Sequence, residues 1–186
     1  MPEAPVRLAV LVGSARAGRF APTVLRWFTR EAGRHGGFDI DVLDVAEIAL
    51  PLAMTGSGAE PVAARLAAAD AFVVITPEYN HSYPAALKNV LDWFHAEWHA
   101  KPVAFVSYGG ISGGLRAVEH LRPVFAELHA VTIRETVSFH GAHGRFDENG
   151  EPVDPAAETA AKALLDQLEW WARALQDARG IRVYPA

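Results

Sequence analysis

Short apolar runs alternate with longer amphipathic segments along the whole chain. Five runs have the length and composition of β-strands: Val6–Val12, Phe38–Leu43, Ala71–Thr76, Val103–Ser107 and Val131–Phe139. Strands that are apolar on both faces, such as Ala71–Thr76, are typical of a parallel sheet with helices on its two sides. Phe38–Leu43 instead alternates apolar and acidic residues, which predicts a strand nearer the edge of the sheet.

Segments with helical spacing separate the strands. The predicted helices are Ala21–His35, Pro61–Ala68, Ala85–Trp98, Leu115–His129 and Pro155–Ala178. Strands that alternate with helices through right-handed crossovers predict a doubly wound α/β sheet. The chain of 186 residues has no internal repeat or low-complexity tract, and its length is typical of one domain. We therefore predict a single domain over residues 1–186.

Composition and charge narrow the classes of partner. The chain contains no cysteine, which excludes a disulfide framework, a thiolate metal site and a cysteine nucleophile. Its net charge of −5 is unlike the basic footprint of a nucleic-acid-binding protein. Residues 1–5 do not resemble a secretory signal, and no apolar run approaches the roughly 20 residues that span a bilayer. We therefore expect a cytoplasmic protein that binds small molecules or proteins, and neither nucleic acid nor membrane.

Polar and glycine-rich motifs follow three of the predicted strands, and the first is Gly13–Arg19. Ligands of open α/β sheets bind at the carboxyl ends of the strands. Gly13 permits a tight turn, Ser14 and the loop amides are suited to an anion, and arginines offer forked donors to phosphate oxygens. The loop has neither the P-loop pattern nor the dinucleotide fingerprint, so triphosphate chemistry is unsupported. An ordinary β–α loop with two solvated arginines is the alternative.

The second motif runs from Pro77 to Pro84, and the third is Ser107-Tyr108-Gly109-Gly110. The two prolines predict a stiff turn before a helix. Asn80 offers both a donor and an acceptor to the edge of a flat heterocycle. Two tyrosines, an asparagine and a histidine within so short a stretch favour a binding loop over an incidental solvent loop.

These motifs resemble the NADPH-dependent FMN reductases of the flavodoxin-like superfamily, which include quinone and azo-dye reductases. The segments that carry the resemblance are Gly13–Arg16, Pro77–Asn80 with its continuation through Leu87–Trp93, and Ser107–Gly110 with the helix after it. The similarity extends over most of residues 8–130. It implies a three-layer α/β/α sandwich with a five-stranded parallel sheet in the order 2-1-3-4-5.

The resemblance also implies three groups of FMN-binding residues. The phosphate would be held by Ser14, Arg16 and Arg19. The dimethylbenzene-to-N5 side and the ribityl edge would be wrapped by Pro77, Glu78, Tyr79 and Asn80. The pyrimidine end would be bound by backbone groups of Ser107, Gly109 and Gly110, because glycines let the main chain approach a ring closely.

The activity that the resemblance implies is a ping-pong transfer. NADPH, or NADH, gives a hydride to N5 of FMN, and the reduced flavin then reduces a quinone, an azo compound or free flavin. FMN carries this chemistry, so no catalytic side chain is assigned. The rivals are a flavodoxin-type electron carrier and a module that senses flavin redox state. The arginine in Ser14-Ala15-Arg16 favours the enzyme, since a carrier is expected to have a hydroxyl-rich phosphate loop without arginines.

The resemblance further implies a homodimer or homotetramer that packs through the Ala85–Trp98 helix. Trp93, Phe94 and Trp98 would then be buried between subunits, although the sequence is equally consistent with their burial in the core.

Other histidine and carboxylate patterns are assigned no metal. His95 and His99 have helical spacing, but no cysteine or Glu-x-x-His motif accompanies them. Acidic residues between Asp147 and Glu158 are spaced partly as in a calcium loop, but a misplaced glycine and two prolines favour a surface turn. His81, within the second motif, is the one histidine that is a candidate to be tested for substrate contact.

Overall fold

Five parallel strands form the centre of the fold in the computed structural model, which describes residues 4–185. The strands are β1 (Val6–Val12), β2 (Phe38–Asp44), β3 (Ala71–Pro77), β4 (Pro102–Gly109) and β5 (Val131–His140). Their order is β2-β1-β3-β4-β5, which confirms the predicted flavodoxin-like topology. Most of the N-terminal segment considered for a secretory signal lies outside the described residues.

Five α-helices connect or follow the strands. They are α1 (Ala21–His35), α2 (Glu60–Ala68), α3 (Ala85–Trp93), α4 (Leu115–Glu127) and α5 (Ala156–Ile181). The predicted Ala85–Trp98 helix is too long, because α3 ends at Trp93 and Phe94 is extended (φ −126°, ψ 143°). The indole Nε1 of Trp98 donates to the Phe94 carbonyl (3.0 Å), which a continuous helix would pair with a backbone N–H.

The sheet separates two apolar cores. One lies between the sheet and helices α1 and α5, and contains Trp27 and Phe28. The other lies between the sheet and helices α2, α3 and α4, and contains both Phe94 and Trp98. These two aromatic residues therefore belong to the core of the chain, while Trp93 is half-buried and donates from Nε1 to the Pro51 carbonyl (3.0 Å).

The layers leave the carboxyl ends of the strands accessible at one edge of the sheet. Between residues 4 and 185, none of the helices has both the length and the apolar character needed to cross a membrane. The loops at this edge carry the motifs identified in the sequence.

Candidate functional site

A cleft of about 370 Å³ opens where β1, β3, β4 and β5 end. Its walls come from the loops that follow these four strands. Seven of the ten predicted site residues line it: Arg16, Arg19, Pro77, Glu78, Tyr79, Gly109 and Gly110. Ser14, Asn80 and Ser107 do not line it. Most of the predicted site is therefore brought together at one place.

The loop after β1 is fixed by close contacts at its start. A Cβ at Gly13 would lie 3.0 Å from Leu87 Cδ2 and 3.2 Å from the Ile75 carbonyl oxygen, so a larger residue would be crowded there. Ser14 is fully buried, and its hydroxyl oxygen lies 2.6 Å from that of Tyr79. This hydrogen bond joins the loop after β1 to the loop after β3.

The two arginines of this loop have different environments. Arg19 forms a forked ion pair with Asp44 at the end of β2, in which both N–O distances are 2.6 Å. It also donates to the Ser14 carbonyl, so its donors already hold the loop in shape. Arg16 is exposed beside the cleft, with its guanidinium carbon 5.6 Å from the Tyr79 ring centroid, and forms no ion pair with any described residue. Asp44 is a support that the sequence motifs did not identify.

Tyr108 contributes a buried hydroxyl that has no hydrogen-bond partner among residues 4–185. The residue lines the cleft but is only 5% exposed. Burial, followed by the effect of Tyr79, raises the pKa of Tyr108 far above its usual range. The nearby Ser14 hydroxyl, which does not meet the distance and angle of a hydrogen bond to Tyr108, and two arginines oppose this shift less strongly. The hydroxyl therefore stays neutral and can donate. Tyr108 lies within the third motif, Ser107–Gly110, but no role was predicted for its side chain.

The loop after β3 forms a tight turn. Tyr79 and Ser82 exchange two backbone hydrogen bonds of 2.8 and 3.1 Å. Asn80 (φ 48°) and His81 (φ 75°) are both left-handed, as a two-residue type I′ turn requires. The backbone N–H groups of Glu78 and Tyr79 are bonded within the protein, whereas that of Asn80 has no partner among the described residues.

The carboxylate of Glu78 is directed at the start of α4. Its side chain is 9% exposed and lies 2.9 Å from Arg116 Nε, with further hydrogen bonds from the Ser112 hydroxyl and the Arg116 backbone N–H. Arg116 Nη1 also lies 2.8 Å from Nδ1 of His81. Since arginine only donates, Nδ1 accepts and the proton of the neutral imidazole is assigned to Nε2.

The glycine loop after β4 is packed against the strand ends. Ser107 is fully buried, and its hydroxyl donates to the Gly113 carbonyl (2.8 Å), so it supports the loop from below. A Cβ at Gly114 (φ 86°) would lie 2.7 Å from that of Ser107, which excludes larger residues. A Cβ at Gly110 would meet no atom within 4 Å, so the backbone there is open.

Residues 141–143 form a fourth wall that the motifs did not indicate. His143 lines the cleft, and its ring packs edge-on against Phe20 at a centroid distance of 4.9 Å. Gly141 has φ 62° and turns the chain after β5. The sequence signal for this wall is a glycine that follows a strand, and a glycine at such a position is only a weak indication of a binding loop.

The histidine and acidic patterns outside the cleft remain without a metal assignment. The rings of His95 and His99 are 6.0 Å apart, and burial lowers the pKa of His99, which favours its neutral form. Asp147 accepts hydrogen bonds from the N–H groups of Asn149 and Glu151, as in a surface turn. Within residues 4–185, no three histidine or acidic side chains gather as metal ligands would.

Comparisons with known proteins identify the family of this chain. The NADPH-dependent FMN reductase family matches residues 6–144, which include all four walls of the cleft. An NAD(P)H-dependent FMN reductase of Schizosaccharomyces pombe is 36% identical over 58% of this chain and 60% of its own length. A probable NADPH:quinone oxidoreductase of rice, Oryza sativa, is 33% identical over 92% of this chain and 91% of its own length.

A solved structure shares the fold. It is the flavoenzyme NAD(P)H:(acceptor) oxidoreductase FerB of Paracoccus denitrificans, with a TM-score of 0.73, 22% identity and coverage of 91% of this chain and 98% of the other. The resemblance inferred from the three motifs is thereby confirmed. This chain belongs to the NADPH-dependent FMN reductase family.

Proposed function

We propose that the cleft holds FMN and that the chain transfers reducing equivalents from NAD(P)H to a quinone, an azo compound or free flavin. The family gives FMN as the cofactor and NAD(P)H as the reductant. The observation that carries the proposal is the buried Tyr108 hydroxyl, which lacks a partner and lies in a cleft beside Arg16. An unpaired buried hydroxyl is costly, and an anionic oxygen would satisfy it.

The phosphate end of FMN fits the residues around Ser14. In the Ser14–Tyr79 pair one hydroxyl donates to the other, so the second hydroxyl keeps its hydrogen for a further acceptor. Tyr108 supplies another donor, and Arg16 supplies positive charge. We assign Arg19 a supporting role, because Asp44 already occupies its forked donors.

The ring end of FMN fits the loops after β3 and β4. Among the amides of residues 78–80, only that of Asn80 lacks a backbone partner, so it is the candidate donor to the N5 side. Gly110 brings open backbone to the pyrimidine end, while Gly109, where a Cβ would lie 3.2 Å from the Gly114 nitrogen, lines the cleft beside it. Bound FMN supplies hydride acceptance and donation at N5. Ser107 acts through the glycine loop that its hydroxyl anchors.

The protein's own contribution is binding and orientation. Pro77, Glu78 and Tyr79 on one side, with Gly109 and Gly110 on the other, form walls on which a flat ring can be held. No side chain is assigned a proton-transfer step. Contact between His81 and substrate stays a prediction, since His81 is exposed outside the cleft lining.

The test is a visible spectrum of the purified protein, followed by steady-state NADPH and NADH oxidation with and without 1,4-benzoquinone. We expect a yellow protein, or one that takes up FMN, with oxidation that depends on the quinone. A carrier or redox sensor would bind flavin and show negligible turnover. A colourless protein that fails to bind added FMN would contradict the proposal.

We further propose assembly as a homodimer or homotetramer through the outer faces of α3 and α4. A groove between these helices is lined by Lys88 and Asp92 of α3, by Val124 of α4 and by the neighbouring Met54 and Leu128, and Met54 is 51% exposed. Phe94 and Trp98 take no part in this contact, because they are buried within the chain. Light scattering during size-exclusion chromatography gives the subunit number, and a monomer at micromolar concentration would contradict the assignment.

A cytoplasmic location completes the proposal. The absence of cysteine is consistent with a reducing compartment. Cell fractionation with an antibody against the chain tests it, and recovery in an extracytoplasmic fraction would contradict it.

A further inference from the structure

One ion pair joins the two loops that would hold the flavin ring, and we propose that Arg116 is a positioning residue for FMN. Glu78 belongs to the loop after β3, and Arg116 lies in the first turn of α4, after the glycine loop. The inference rests on the proposed function, because it assigns the ring to the space between these loops. It gives Arg116 no contact with the reacting atoms.

Hydrogen-bond donors enclose the carboxylate of Glu78. Its side chain is 9% exposed, and three donors surround the carboxylate: Arg116 Nε at 2.9 Å, the Arg116 backbone N–H at 3.3 Å and the Ser112 hydroxyl. A carboxylate this deeply buried is stable in its charged form only with a cation and hydrogen bonds beside it. Arg116 is the cation, so the position of Glu78 depends on it.

The Arg116 guanidinium contacts the turn after β3 at two points. Nε contacts Glu78 at one end of the turn, while Nη1 lies 2.8 Å from Nδ1 of His81 at its tip. Asn80 and His81 hold φ values of 48° and 75°, a left-handed conformation that costs energy in residues other than glycine. Such a conformation persists only where neighbouring groups hold it. The bond from Arg116 to His81 is one of those restraints.

The turn after β3 carries the backbone N–H that we propose as a donor to the flavin ring. The Asn80 amide is the candidate donor to the N5 side, and it lies between the two residues that Arg116 holds. The opposite wall, Gly109–Gly110, leads through the packed Gly113 and Gly114 to the same helix start. Removal of Arg116 should therefore make the distance between the two walls less well defined. FMN would then bind more weakly, and the environment of its ring would change.

The experiment compares Arg116→Gln with Arg116→Lys and with Arg65→Gln as a matched control. Arg65 is 42% exposed, against 41% for Arg116, and it too pairs with a carboxylate of another element, Asp41 of β2 (2.6 Å). Arg65 does not line the cleft. The readouts are the FMN dissociation constant from quenching of flavin fluorescence, the visible circular dichroism of bound flavin, and Tm.

We expect R116Q to raise the dissociation constant about tenfold or more, the scale of coupling within one network, and to change the visible dichroism. R116K keeps a charge near Glu78 but not the fork to His81, so it should recover part of the affinity. R65Q should leave both flavin readouts unchanged. A dissociation constant for R116Q within about twofold of the parent would overturn the inference.

Two further variants decide the case if R116Q does not fold. His81→Gly keeps the left-handed backbone without strain and removes the ring nitrogen that accepts from Arg116, and His81 is exposed. We expect H81G and Glu78→Gln each to weaken FMN binding severalfold, and the double variant by less than the product of the two effects. Unchanged affinity in both single variants would overturn the inference. Failure of the parent protein to bind FMN would instead remove the proposed function, whatever the variants do.

Discussion

The hydroxyl oxygens of Ser14 and Tyr79 lie 2.6 Å apart. Ser14 follows β1 and Tyr79 follows β3, so a single hydrogen bond joins the loop proposed for the phosphate to the loop proposed for the ring. In the sheet these strands are direct neighbours, which explains why residues 65 positions apart in sequence can meet. The proposed phosphate site is therefore shared by two loops.

We predict that Tyr79→Phe weakens FMN binding about tenfold, because it removes a hydrogen bond to a charged group and the tie to Ser14. Isothermal titration of the apoprotein with FMN measures the effect. Tyr184→Phe is the matched control, since Tyr184 also hydrogen-bonds through its hydroxyl, to His129 (3.2 Å), but does not line the cleft. Equal FMN affinity in Y79F and the parent would exclude Tyr79 from the phosphate site.

Tyr108→Phe should move stability and affinity in opposite directions. Removing a buried hydroxyl without a partner is expected to stabilise the apoprotein by about 1 kcal/mol, whereas the same change removes a donor to the phosphate. Tm of the apoprotein should therefore rise while the FMN dissociation constant increases severalfold. Tyr79→Phe, which removes a satisfied hydroxyl, should not raise Tm. A lower Tm for Y108F would mean that its hydroxyl already has a partner in solution.

Arg16→Gln and Arg19→Gln should distinguish an arginine that binds the FMN phosphate from an arginine that stabilises the loop. R16Q removes the exposed cation, so we expect weaker binding of FMN but not of riboflavin, which has no phosphate. R19Q leaves Asp44 without its partner in a pair whose side chains are only 17% and 14% exposed, and should lower the free energy of unfolding by about 1–3 kcal/mol. Titrations with both flavins and urea unfolding measure these effects. A large stability loss in R16Q with none in R19Q would reverse the assignment.

The fold was predictable because its signals are local. Apolar runs such as Ala71–Thr76 predicted the strands of the sheet to within a few residues, and the glycine and proline positions marked the turns between elements. The end of α3 was predicted wrongly, since the bond from the Trp98 indole to the Phe94 carbonyl depends on how both residues pack in the core. Hydrophobic periodicity in the sequence cannot predict such a side-chain hydrogen bond.

The site was only partly predictable, since several of its features depend on pairs that are distant in sequence. The motif suggested Arg19 for the phosphate, but its pairing with Asp44 depends on the order of β1 and β2 in the sheet. The lack of a partner for the Tyr108 hydroxyl likewise has no sequence signature. The motifs therefore predicted which loops line the cleft, whereas the contacts of each side chain within those loops follow from the packing of distant segments.

A buried lysine away from the cleft gives a pH-dependent prediction. Lys101 is 6% exposed, and its Nζ donates to the carbonyls of Leu66 and Ala67 in the last turn of α2, both at 3.0 Å. Burial, and next the nearby Arg179, lowers the pKa of Lys101 to about 8. The unfolded chain keeps an ordinary lysine pKa, near 10.4.

These values fix the sign of the effect. Below about pH 8 Lys101 is protonated in both the folded and the unfolded chain, so the folded chain bears the full free-energy cost of burying the ammonium. Between about pH 8 and 10.4 the unfolded state binds more protons than the folded state, so the contribution of Lys101 to stability rises with pH. Relative to Lys101→Met, the parent should thus gain on the order of 1–3 kcal/mol across this window, measured by urea unfolding. Lys162 is exposed, so the free energy of unfolding of the parent relative to Lys162→Met should not change with pH across this window. If the difference between the parent and K101M is instead flat or falls as pH rises, Lys101 is not desolvated in solution.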